Sequence, residues 1–143
     1  MELSQVLKNQ AGNKIMDPIS NMIISIKNAG NAGLNSVMIP YSKLKLSIAT
    51  LLKEEGFIND VSKKGKEGKK FIDISIIYKG KKPHITNVTR VSKPSRRIYI
   101  GTKDIKPVRQ GYGALILSTP KGILTDKKAK EEHVGGEALF KIW

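Results

Sequence analysis

The residue types that carry most enzyme chemistry are sparse and scattered. His84 and His133 are the only histidines, they stand far apart, and the chain has no Cys. Structural metal sites draw on clustered Cys and His ligands, so no metal site is expected. Asp17, Asp60, Asp73, Asp104 and Asp126 are dispersed and offer no carboxylate pair for acid–base work. Ser118 has neither a nucleophile elbow nor a neighbouring base. Gly111-Tyr112-Gly113 lacks the third glycine and the following helix of a dinucleotide fingerprint. Gly65-Lys66-Glu67-Gly68-Lys69-Lys70 shares only its composition with a phosphate loop and reads as a hairpin turn. No catalytic residue and no cofactor are expected.

The basic and hydroxyl residues form more suggestive groups. Lys93-Pro94-Ser95-Arg96-Arg97 places three cations at a proline turn, whose fixed φ holds them near one location. Arg96 and Arg97 can each fork two N–H groups onto a phosphate. On a strand they point to opposite faces, so one of them is expected on the ligand side. Tyr99, two residues after Arg97, shares its face; its ring suits a base or ribose, and equally suits the core. The second group is Ser118-Thr119-Pro120-Lys121-Gly122, two hydroxyls and a lysine on a tight loop after an apolar run. Such a loop can contact 2′-hydroxyls, phosphates and an exposed base edge; a Pro/Gly turn with solvated hydroxyls is the plainer reading.

Charge favours a polyanionic partner. The chain has 143 residues, with 26 Lys plus Arg against 12 Asp plus Glu, a formal net charge of +14. Eleven lysines face seven acids over residues 1–78, and fifteen Lys plus Arg face five acids over 79–143. The carboxyl-terminal half is therefore the expected contact region, unless the lysines serve solubility alone. The division falls in Lys79-Gly80-Lys81-Lys82-Pro83, a basic linker punctuated by Gly and Pro. The expected organisation is an extension over 1–15, one subdomain over 16–79 and a second over 80–143. The longest apolar run is Ala114-Leu115-Ile116-Leu117, far short of the roughly 20 residues of a membrane span. The first fifteen residues lack the pattern of a secretory signal; they read as a flexible arm or as the product of an upstream start codon. No membrane partner and a cytoplasmic location, with an organellar one as the alternative, follow as expectations.

The elements that must position these groups are legible from periodicity. Asp17 can cap a helix with Pro18 at its first position. Ile19, Met22, Ile23 and Ile26 share one face of it, and Gly30 offers a left-handed stop. Asn28-Ala29-Gly30 and Asn31-Ala32-Gly33 read as a loop. Ser36 to Ile39 reads as a strand, and Ser42 caps a second helix with Leu44, Ile48, Leu51 and Leu52 as its buried stripe. Phe57 to Lys64 and Lys70 to Tyr78 read as paired strands. Beyond the linker, Ile85 to Val91 and Arg97 to Ile100 flank the Lys93-Pro94 turn. Lys103 to Val108 reads as one helical turn, Leu115 to Thr119 as a buried strand, and Thr125 or Asp126 as the cap of a short helix carrying Lys127. Gly135-Gly136 breaks the chain before a last strand. The fold class is α+β: two small subdomains packed together, the first helix-strand-helix-strand-strand, the second mostly β with one short helix.

Gly113-Ala114-Leu115-Ile116-Leu117-Ser118-Thr119-Pro120-Lys121-Gly122-Ile123-Leu124-Thr125-Asp126, followed by Gly135-Gly136-Glu137, closely resembles the signature of the bacterial ribosomal protein S-eight family of the small subunit. Asp17-Pro18-Ile19, Lys27-Asn28-Ala29, Ser42-Lys43-Leu44-Lys45, Glu55-Gly56-Phe57-Ile58 and Val91-Ser92-Lys93-Pro94 extend the resemblance from about Met16 to Trp143. It implies a structural constituent of the small subunit, a primary binder of the central domain of its ribosomal RNA, and a role in assembling the platform. The partners implied are that RNA and neighbouring ribosomal proteins; some family members also bind their own messenger RNA. Carried over, the RNA-binding residues are Ser118, Thr119, Lys121 and Gly122, with Lys93, Pro94, Arg96, Arg97, Tyr99 and Lys127. Secondary contacts fall to Lys27, Asn28, Ser42 and Lys43. Glu137 is expected to support the loop by accepting hydrogen bonds from Ser118 or Thr119. Two departures stand out. Pro120 takes a place the family often fills with Ser, and Ser95 one it often fills with Gly, which adds strain if φ there is positive. The rivals are a general basic nucleic-acid-binding protein and an RNA-modifying enzyme; the second would need an acid–base pair or cofactor pocket.

Overall fold

The computed structural model describes residues 17–143 other than Glu67, so the extension over 1–15 lies outside the described residues. Helix α1 spans Pro18–Asn31, and Asp17 caps it by accepting the Ser20 N–H at 3.2 Å. Ile19, Met22, Ile23 and Ile26 are its buried face, as their spacing predicts. The helix runs through Asn28 and past Gly30, where the sequence suggests a loop. Gly33, at φ 75°, supplies the left-handed stop. Gly30 instead permits close packing, since a Cβ there would lie 2.9 Å from the Pro83 ring.

Strand β1 (Ser36–Pro40), helix α2 (Lys43–Glu54), β2 (Ile58–Lys66) and β3 (Lys69–Ile76) complete the first half. The strands form an antiparallel sheet in the order β1-β3-β2. Alternation along β3 puts Ile72 and Ile74 fully inside. Helix α2 buries Ile48, Ala49, Leu51 and Leu52. Leu44, expected in that stripe, is instead exposed; it lies in the first turn, where the helix overhangs the gap toward the second half. A short hairpin, β4 (Tyr78–Lys79) with β5 (Lys82–Pro83), occupies the basic linker.

The second half is built on β10 (Gly136–Ile142). One edge of β10 pairs with β8 (Ala114–Thr119), which pairs in turn with β9 (Gly122–Thr125). The other edge takes β6 (Val88–Arg90) and then β7 (Tyr99–Ile100), both antiparallel. The stretches expected to flank a turn are thus successive parts of one edge strand. Strand β9 has no clear period and escapes sequence reading. Two 3-10 turns, Thr102–Asp104 and Arg109–Gly111, replace the single turn expected over 103–108. Helix α3 (Asp126–Glu131) is capped by Thr125 and anchored by fully buried Ala129. Gly136 does not break the chain; it begins β10, where a Cβ would meet the Ser118 carbonyl oxygen at 2.1 Å.

Both faces of the second sheet are covered, which explains the unbroken apolar run of β8. Ala114 and Ile116 join Phe140 and Ile142 in a core shared with α1, α2 and the first sheet. Leu115 and Leu117 face the other way, onto Ile105, Val108 and Ala129. One continuous core therefore draws on residues from both sides of the linker.

Candidate nucleic-acid interface

The Lys93-Pro94 segment is a loop extruded from an otherwise continuous edge strand. Val91 and Ser92 donate to the carbonyls of Leu139 and Ala138, and Ala138 donates to the Ile98 carbonyl. The chain thus leaves β10 after Ser92 and returns at Ile98. Ser92, with no exposed surface, pins the neck: its Oγ accepts the Ile98 N–H at 2.8 Å and donates to the Ile98 carbonyl at 3.2 Å. Across the loop, Lys93 and Arg96 exchange backbone hydrogen bonds of 2.9 and 3.0 Å. Ser95 has no positive φ, so the strain expected from Ser at this place is absent; among the described residues only Arg109 and His133 adopt positive φ without being glycine.

The Ser118–Gly122 segment is the end of the β8–β9 hairpin, with Pro120 and Lys121 as its exposed turn. Thr119 holds the turn together. Its Oγ1 donates to the Gly122 carbonyl at 2.8 Å and accepts the Lys121 N–H at 3.1 Å. Its proton is committed, and one lone pair remains for a ligand. Ser118 points the other way, on the face shared with Ile116, and no hydrogen bond ties its hydroxyl to the described residues. Glu137, on β10, lies opposite Ser118 on β8 and opposite Tyr99 on β7. Its carboxylate meets Arg97 at 3.6 Å, not the two hydroxyls expected to donate to it, because Thr119 satisfies itself within its own turn. Lys121 is held by Glu132, at the end of α3, at 3.1 Å.

Ser118, Glu137 and the Lys93-Pro94 loop meet at a cleft of about 420 Å³ between the two halves, which Thr119, Lys121 and Gly122 do not line. Ser118, Glu137 and Leu139 line it from the sheet, Lys93, Pro94 and Arg97 from the extruded loop, and Pro18, Ile19 and Leu44 from the first turns of α1 and α2. Tyr99 is 69% exposed on the same sheet face, which decides between its two readings against the core. Arg97 lines the cleft and Arg96 does not; both stand in the extruded loop and not on the strand expected there, so the loop's path divides them. Ser42 caps α2, its Oγ accepting the Lys45 N–H at 3.1 Å, and so stands with Lys43 beside the Leu44 wall. The exposed Leu44 covers apolar cleft wall, not core.

Arg90 and Asp17 close the inner end of the cleft. Arg90 Nε donates to Asp17 Oδ2 at 2.9 Å, and its Nη1 donates to the Leu139 carbonyl. Burial raises the Asp17 pKa, but the Arg90 hydrogen bond, the Ser20 hydroxyl and N–H, and the Arg90 charge together outweigh it and hold the carboxyl below its ordinary value. Neither this tie nor Glu132 is visible by sequence reasoning. Apolar residues at 85, 88 and 91 give no strict alternation around Arg90, so nothing local marks it.

Other expected residues lie elsewhere. Lys27 and Asn28 stand on α1 roughly 14 Å beyond its Pro18 end, at 1.5 Å per residue. Lys127 reaches the Gly111 carbonyl at 3.4 Å, near the start of β8. That is about 17 Å from Thr119 at 3.3 Å per strand residue.

The arrangement defines a basic α+β protein with a cleft lined by Arg90, Lys93 and Arg97 against Asp17 and Glu137, and no assembled acid–base pair among the described residues. Residues 17–143 match the family model described as "Ribosomal protein S8". The chain is 43% identical to a small ribosomal subunit protein uS8 of Mycoplasmopsis agalactiae, covering 90% of this chain and 98% of that one. It is 47% identical to the uS8 of Persephonella marina, over 90% and 99%, and 46% identical to that of Laribacter hongkongensis, over 86% and 94%. The chain belongs to the ribosomal protein S8 family, as its signature segments imply.

Proposed function

We propose that this protein is a primary RNA-binding constituent of the small ribosomal subunit, and that its cleft grips an irregular helix in the central domain of the ribosomal RNA during platform assembly. Lys93 and Arg97 neutralise phosphates at the cleft mouth. The Ser118 hydroxyl, with both donor and acceptor free, faces a ribose 2′-hydroxyl in the cleft, while Thr119 shapes the turn beside it. Regular A-form RNA hides its base edges in a deep groove, so a distorted helix is the target that such a fixed hydroxyl can distinguish. The observation that carries this reading is the junction of Ser118, Arg97 and Lys93 on one cleft, with the loop neck pinned by Ser92.

The test is a salt-controlled titration of the full chain with a central-domain RNA fragment and with a uniform RNA duplex. Ser118→Ala is expected to weaken fragment binding by roughly 1–2 kcal/mol, the scale of one hydrogen bond in a desolvated contact, and to leave duplex binding unchanged. Equal affinity of the natural chain for fragment and duplex would instead favour a general basic nucleic-acid-binding protein.

A further inference from the structure

A second group of cations lies at the far end of the β8–β9 hairpin and takes no part in the cleft. Lys106, Lys127 and Lys130 line a shallow depression beside Gly111. Arg109 stands next to it, its guanidinium 4.4 Å from the centre of the Trp143 ring. None of the four forms an ion pair with the described residues, whereas Arg97 and Lys121 at the first site both do. Two acids lie near. Asp126 is buried and accepts the Leu115 N–H at 3.2 Å, and Glu55 lines the adjoining hollow with Tyr112. The local balance stays positive.

Tyr112 rises beside this depression and is 86% exposed. Its position is fixed by a tight turn. Tyr112 N–H donates to the Arg109 carbonyl, and the N–H groups of Gly111 and Gly113 both donate to the Val108 carbonyl. Arg109 adopts φ 50° there, a left-handed conformation unfavourable for a residue with a side chain. A ring held in solvent contributes almost nothing to the core. Beside unpaired cations it has the makings of a stacking platform, and stacking needs a base with a free π face. Duplex bases are already stacked; single-stranded ones are not.

We propose that Tyr112, with Lys106, Arg109, Lys127 and Lys130, forms a second RNA-binding face that takes single-stranded RNA, the ring stacking on a base and the cations meeting flanking phosphates. The length of β8 separates this face from Ser118, so it engages a different RNA segment and stands whether or not the cleft reading does.

Trp143 is the only tryptophan, and with Arg109 on its ring it reports on this face. The test titrates the full chain with a short labelled oligoadenylate, reading anisotropy and Trp143 emission. Saturable binding with a change in emission is expected. Tyr112→Ala should weaken it roughly tenfold, within the range of one lost stack, and Tyr112→Phe should retain it. Lys127→Ala combined with Lys130→Ala should reduce the salt slope by about 1.4, at 0.7 per phosphate on a single strand. Ser118→Ala should leave it unchanged. Absence of binding, or equal affinity of Tyr112→Ala, overturns the proposal. So does an equal loss in Ser118→Ala, which would place the single strand in the cleft. Failure of the cleft reading shows separately, in the binding of Ser118→Ala to the central-domain fragment.

Discussion

Ser118 and Thr119 are adjacent hydroxyls with divided work. Thr119 spends its proton inside its own turn, while Ser118 has no such tie. Their substitutions should therefore separate. Thr119→Val is expected to destabilise the fold by about 1 kcal/mol, the net worth of a partly exposed hydrogen bond, and Thr119→Ser to restore most of it. Ser118→Ala should change stability by less than about 0.5 kcal/mol, as is usual for a substitution that breaks no internal contact. Urea denaturation of the three variants measures this; a destabilised Ser118→Ala would mean that its hydroxyl has an internal partner. At this scale the sequence supplies the residue types correctly. Which hydroxyl is free depends on a two-residue turn closing, a matter of atoms three positions apart in a folded hairpin.

At the scale of elements, the extruded loop depends on one buried side chain. Ser92 supplies two side-chain hydrogen bonds across its neck, next to the backbone pair between Lys93 and Arg96. Ser92→Ala leaves the partly buried Ile98 N–H without its partner, and a cost of about 1–2 kcal/mol is expected. Fragment binding should weaken while the salt slope stays the same, because Lys93 and Arg97 keep their charge and lose only their position. Unchanged fragment affinity would show that the loop is held by other means. The sequence marks Lys93-Pro94 as a turn. It does not distinguish a turn between two paired strands from a loop leaving one strand, since the difference lies in what β10 offers along its edge.

At the scale of the whole molecule, Asp17 and Arg90 tie the first helix to the second sheet across the cleft. The folded Asp17 carboxyl has its pKa below the ordinary 3.8. Its ionised form therefore stabilises the fold at every pH above that value, and the contribution is lost as pH falls through the lower folded value. Asp17→Asn is expected to cost about 2 kcal/mol at neutral pH through the loss of the charge-assisted bond to Arg90, since Asn caps a helix about as well as Asp. It should also lose less stability than the natural chain on acidification below 3.8. Denaturation midpoints at neutral and acid pH check both; parallel acid limbs would show that Asp17 is not the group that titrates. A second comparison with Arg90→Met tests the same tie from the other side.

What the chain determines by itself is local: the caps at Asp17 and Ser42, the period of α1 and α2, the alternation of β3, the turn at Pro94 and the excess of positive charge. Each is written in residues within a few positions of one another, and local sterics and hydrogen bonding suffice to read it. The signature segments add the family. The tertiary structure alone decides that Leu44 lines a cleft, that Glu137 meets Arg97, that Arg90 reaches Asp17, and that Lys127 stands apart from Ser118 with Tyr112 beside it. These depend on which strand pairs with which edge and on how two half-cores merge. Such contacts join residues far apart in the chain, and their energy exists only once the intervening chain has folded.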